Sequence, residues 1–175
     1  MRTAVFALSI LLFTALASHF IVLFGFPGYV MSKAFERLEA RGLPVHQFVL
    51  TEKISPQNQT IVRASPDLAY SICRFDLSDG PIRISGARWE GYASLSIFDA
   101  DTNNVLATSL DLASNEPNEI TLFRVGEDRP EVSEGSLIVE LEQPLGLALI
   151  RRLAPSQELY DQAAQLSAQD RCEPL

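Results

Sequence analysis

From Thr3 to Phe26 the chain runs for 24 residues without a formal charge at neutral His19. A helix rises about 1.5 Å per residue, so this run covers a hydrocarbon core about 30 Å thick. A cleaved signal peptide begins in the same way, with Arg2 as basic flank and Ala15-Leu16-Ala17 as a small-residue cleavage site. The residues after Ala17 favour an uncleaved transmembrane anchor. Ser18 to Phe26 prolongs the apolar run, and cutting after Ala17 would leave that stretch as a greasy N-terminus. His19 shares the segment with no titratable side chain, so a proton relay or metal site there lacks its second group. Thr14 and Ser18, four apart, suit close approach of a second helix, but the pattern is common.

The rest of the chain is acidic. Fourteen Lys and Arg face 22 Asp and Glu, for a formal charge of −8, and every acidic residue lies beyond the apolar run. Such a balance cannot supply the basic face that phosphate contacts need, so we expect no nucleic-acid partner. Signals for orientation conflict. Lys33, Arg37 and Arg41 after the span outnumber Arg2 before it, which taken alone favours a cytoplasmic C-terminal domain. That rule loses force for a tail of about 150 residues. Cys73 and Cys172 point outward instead, since one lies early in the domain and one at its end, as in an exported domain closed by a disulfide. Two buried thiols are the alternative. We expect the pairing and a periplasmic domain.

Pro27-Gly28 is expected to break or kink the helix at the membrane boundary. A second, juxtamembrane amphipathic helix should come next, with Val30, Ala34, Phe35 and Leu38 on one face and Gly42 at its C-cap. The pattern does not choose between the membrane surface and the domain as the partner of that face. Leu43 to Gln59 reads as a connector with at most one strand, around Phe48 to Thr51. Asn58-Gln59-Thr60 matches a glycosylation sequon, a motif too short to carry weight. The expected organisation is an anchor over residues 1–26, a helix and connector over 27–60, and a globular domain over 61–175.

From Ile61 the period becomes two, in short apolar runs separated by turn residues, as in an all-β sandwich or barrel. The expected strands are Leu68 to Asp76, Ile82 to Ala87, Tyr92 to Asp99, Asn104 to Leu110, Glu119 to Val125, Ser136 to Leu141 and Gly146 to Leu153. In the third, Tyr92, Ser94, Ser96 and Phe98 share one face, and Ala93, Leu95 and Ile97 the other. Ser156 should cap a C-terminal helix reaching about Gln169, with Leu159, Ala163 and Leu166 facing inward.

Few residues suggest chemistry. Asp99 to Asn103 starts like a calcium loop but lacks the glycine and the bidentate glutamate, at Asn104 and Leu110, so a turn is expected. His19, His46 and the two cysteines match no zinc spacing, and neither a nucleophile elbow nor a phosphate loop is present, so no cofactor or metal is implied. Trp89 and Tyr92 beside Gly91 suit either an aromatic binding surface or the core at a strand start, and the second is preferred. Arg151-Arg152 suits either an anion or the acidic excess of the chain, and the second is preferred.

The stretches Ser65 to Ser71, Phe75 to Ser78, Gly80-Pro81, Tyr92 to Ala100 and Thr102 to Asn104 together resemble the domain of unknown function 1254 family. Leu147 to Pro155 is similar to the arginine-containing strand near that domain's end. The resemblance implies a mainly β, jelly-roll-like sandwich in bacterial envelope proteins, with short members as single-span proteins of the inner membrane. It also implies, as a frequent companion, a domain of unknown function 1214, which this sequence lacks. No agreed catalytic residues come with it. The expected function is therefore a non-enzymatic envelope protein whose periplasmic domain binds another envelope protein. A hydrolase or small-ligand-binding domain, with a pocket near Asp67, Tyr70 and Asp76, is the alternative.

Overall fold

In the computed structural model, residues 2–58, 64–132 and 135–175 are described. Helix α1 runs from Arg2 to Ala40 with Pro27 inside it. The expected break is absent. A proline removes one hydrogen bond and costs about 3 kcal/mol in a helix interior, and apolar surroundings tolerate it where the flanking turns keep all their other bonds. Those later turns are held from outside as well. Met31 is the one buried residue of α1, and Pro27, Gly28, Ala34, Phe35 and Leu38 are half-buried, which makes a stripe at helical spacing. Val30, expected on that stripe, is 42% exposed and lies outside it. The stripe settles which partner the juxtamembrane face takes: it packs on the domain. The Arg74 guanidinium donates to the Phe35 carbonyl (3.4 Å) and approaches Glu39 (3.9 Å). Gly28 lies so close to Asp101 that a Cβ there would sit 3.0 Å from Oδ1. The helix ends in a Schellman motif, with Gly42 at φ 75° and N–H bonds from Gly42 to Glu39 and from Leu43 to Leu38.

The remainder is mainly β, in two sheets. One contains β1 (Val49–Leu50), β2 (Leu68–Asp76), β8 (Leu145–Leu153), β4 (Ala93–Asp99) and β5 (Asn104–Ser109), in that order, with all neighbours antiparallel. The other contains β7 (Leu137–Leu141), β6 (Glu119–Arg124), β3 (Ile82–Ser85) and β9 (Arg171–Pro174), in which β6 and β7 run parallel. All seven expected strands are present within a residue or two at each end. The sequence reading missed β9, because Arg-Cys-Glu-Pro is short and polar and becomes a strand only through its partner β3.

Alternation along the strands sends one face of each sheet into a shared core. Ala69, Cys73 and Phe75 of β2, Leu95 and Ile97 of β4 and Ile150 of β8 meet Ile84, Ile120, Leu122 and Leu141 of the second sheet. A disulfide joins Cys73 on β2 to Cys172 on β9, linking the two sheets over a sequence separation of 99. Helix α2 (Gln157–Ser167) is capped by Ser156, whose Oγ accepts from the Leu159 N–H (3.1 Å). Its inner residues Leu159, Ala163 and Leu166 pack on this core, as the periodicity required. The Tyr160 hydroxyl donates to the Thr51 carbonyl beside β1.

Candidate functional site

Of the three residues of the alternative pocket, Asp67 and Tyr70 share Ser65 as a partner and Asp76 lies apart from them. β2 is nine residues long, which spans about 30 Å. Asp67 precedes its start and Asp76 ends it. Asp67 is exposed in a turn, where its N–H donates to the Ser65 Oγ (3.3 Å) and its carbonyl accepts from Ala154 (2.8 Å). The Tyr70 hydroxyl accepts from the Ser65 N–H (2.8 Å). Asp76 Oδ1 accepts from the Ser78 N–H (2.9 Å), and the Asp76 N–H donates to His46 Nε2 (3.0 Å). Hydrogen bonding from Ser78, its side chain foremost, holds the Asp76 carboxyl below its ordinary 3.8, against the opposing effect of burial. The carboxylate is thus an ionised turn cap rather than a poised acid. The extension of β2 puts Asp76 at the far end of the strand from Asp67 and Tyr70.

Other polar motifs resolve into structure too. Asp99 Oδ1 accepts from the N–H groups of Asp101 (2.9 Å) and Asn103 (2.8 Å), which closes the expected turn. The Asn58 side chain is tied to Ser55 and Lys53 in a turn, and the other two sequon positions lie outside the described residues. Trp89 is core, its indole N–H donating to the Leu153 carbonyl (3.2 Å). Tyr92 is a correction: it is 50% exposed, because its place in the alternation puts it on the outer face.

The two adjacent arginines separate. Arg152 points inward and is 1% exposed. Its two terminal nitrogens reach both carboxylate oxygens of buried Asp170, at 2.9 and 2.6 Å, and one also reaches the Ala87 carbonyl (3.0 Å). Asp170 in turn accepts from the Ala87 N–H (3.0 Å). The preferred reading, pairing with the acidic excess, therefore holds for Arg152.

Arg151 points to the outer face of the five-stranded sheet, from its central strand. Tyr70 on β2 and Ser94 on β4 lie directly beside it across the strands, and Ser109 on β5 lies beside Ser94. Arg151 makes no ion pair among the described residues. Its one side-chain hydrogen bond among them is a long one, 3.4 Å, to the Ser96 Oγ, while its buried Nε has no hydrogen-bond partner. Next to it, small side chains on β4 and β5 leave a shallow hollow of about 270 Å³. Ser94, Ala107 and Ser109 line it together with Tyr92 and Asp111. The serines were visible in the alternation of β4. Their placement beside Arg151 comes from strand order, which the sequence does not display.

A family model described as Protein of unknown function (DUF1254) matches residues 45–174. The chain belongs to this family. The match covers the DUF1254 domain from just before β1 to the last residue of β9, so it includes the strand that pattern alone missed. Among solved structures, the VPA0106 protein from Vibrio parahaemolyticus shares the fold with a TM-score of 0.67 and 18% identity, covering 87% of this chain and 36% of that one. An uncharacterised protein from Burkholderia cenocepacia matches with a TM-score of 0.43 and 12% identity, covering 65% of this chain and 32% of that one. This chain spans about a third of the length of either structure, 36% and 32%. No protein with a curated description matches it.

Proposed function

We propose that the protein is a non-enzymatic, single-span component of the bacterial inner membrane whose DUF1254 domain lies in the periplasm and binds another envelope protein. The observation that carries this reading is the continuity of α1. An apolar stretch long enough to cross a bilayer passes without interruption into turns docked on the sheet. Past Ala17, where a signal peptidase would cut, the same helix continues through the apolar residues to Phe26 and on to Ala40. The disulfide supports an oxidising compartment. A domain of unknown function 1214 protein is the partner we propose, since the family resemblance implies that domain as a frequent companion. Within the two-sheet fold, the insertion of β8 between β2 and β4 supports a jelly-roll-like reading.

Alkaline phosphatase and green fluorescent protein fused after Leu175 test the placement. Phosphatase activity without fluorescence is expected, and fluorescence without phosphatase activity overturns it. For the partner, a domain of unknown function 1214 protein from the same genome should copurify with the full chain from detergent extracts. Failure to copurify after in-cell crosslinking overturns that assignment.

A further inference from the structure

We propose that Arg151 and the hydroxyls around it form a binding site for the carboxylate of a small monocarboxylic acid, with the hollow over β4 and β5 receiving the acid's apolar body. This inference goes beyond the protein-binding role and does not depend on it.

Four observations converge. First, a guanidinium at the centre of a sheet face in a chain of charge −8 has no carboxylate partner among the described residues, although acidic side chains outnumber basic ones. Arginine presents a fork of N–H donors, and here the two terminal nitrogens make one hydrogen bond between them among the described residues, the long one to Ser96, while the Nε is buried behind them. Second, Ser94 and Ser96 on β4 supply hydroxyls beside and diagonal to it, and the Tyr92 hydroxyl lies 3.3 Å from the Ser94 Oγ. Third, the floor of the neighbouring hollow is small, with Ala107 and Ser109, and Tyr92 gives it an exposed aromatic wall. The next residues along β2 and β8 on this face are Ile72 and Leu149, so the surroundings of the charge are apolar. Fourth, charge selects the ligand class. One cation faces the site, and two carboxylates stand at the hollow, Asp111 in its lining and Glu116 held by the Thr108 hydroxyl and the Ser109 N–H, so at most a single negative charge is matched and a phosphate dianion would leave charge unbalanced beside them.

Benzoate serves as probe, with benzamide as its uncharged counterpart and inorganic phosphate as the competing anion. Each is titrated into the full chain, ¹⁵N-labelled in maltoside micelles, at constant ionic strength. Benzoate should saturate amide shifts at Ser94, Ser96, Ser109 and Arg151, and benzamide should not. Arg151→Gln should weaken benzoate by about tenfold or more. Arg151→Lys, which keeps the charge and the stem but loses the fork, should weaken it less. Arg129→Gln, which removes an exposed loop cation away from the sheet, should change nothing. Unchanged thermal melting of the Arg151 variants shows that they fold. Should Arg151→Gln fail to fold, Arg151→Lys decides alone, and equal affinity there overturns the proposal. It is also overturned if benzoate does not saturate, if Arg151→Gln binds it as well as the native chain, or if phosphate saturates the same amides more tightly.

Discussion

Asp170→Ala removes the partner of an arginine that is 1% exposed. A buried pair is weak evidence of net stabilisation, but removing one member leaves a bare buried charge and costs about 3–5 kcal/mol. Urea unfolding of the full chain in detergent should show that loss, and a change below about 1 kcal/mol would mean that Arg152 finds another partner. The sequence displayed Arg151-Arg152 as a unit. Strand alternation divides them, one inward to Asp170 and one outward among serines, and only the cross-strand partners reveal which is which. Asp76 was legible as the end of a strand and illegible as to neighbours. Its folded pKa lies below 3.8, so it contributes stability that is present above that value and is lost as pH falls through the folded pKa. Asp76→Asn should therefore flatten part of the decline in stability below about pH 4 and cost about 1 kcal/mol at neutral pH, as read from urea midpoints across the acid range.

At the scale of elements, β8 shows how much of a strand its neighbours dictate. Gly146 lies opposite Phe75 on β2, and a Cβ there would collide with the Phe75 ring and come within 2.6 Å of the Phe98 carbonyl. Glycine at a strand interior is unfavourable alone, and here the aromatic ring of the adjacent strand fills the space that a side chain would occupy. Gly146→Ala should cost about 1–3 kcal/mol, the usual range for overpacking, with a matching fall in urea midpoint; a gain in stability would show that the ring yields freely. β4 was readable because Ala93, Leu95 and Ile97 alternate with serines as its sequence does, and β2 was readable as a strand from its apolar density, although its burial turns Ser71 inward and Ile72 outward. β9 was not, since its strand geometry comes from β3 and the disulfide rather than from its own residues. α1 went the other way. Pro27 is a strong local signal for a break, yet hydrogen bonding in an apolar segment and docking of Met31 and its neighbours outweigh it.

Across the whole molecule the two sheets are held by a common core and one covalent link, and the link closes a long loop. Cross-linking residues separated by 99 positions restricts the unfolded chain by about 4.7 kcal/mol on the chain-entropy account. A domain of ordinary stability has only about 5–15 kcal/mol in all, so without the link this one falls near the margin. Cys73→Ala combined with Cys172→Ala should therefore lower the unfolding free energy by about 4–5 kcal/mol, with both side-chain sites still filled by small apolar groups. The native chain unfolded in urea with and without a reductant gives the same comparison without mutation, and the two differences should agree. A loss below about 1 kcal/mol by both routes would mean that the shared core alone fixes the sheets and that the bond is incidental. The full loss would tie folding to an oxidising compartment: the domain made in a reducing cytoplasm should accumulate in a protease-sensitive state, and the same chain exported to the periplasm should resist digestion.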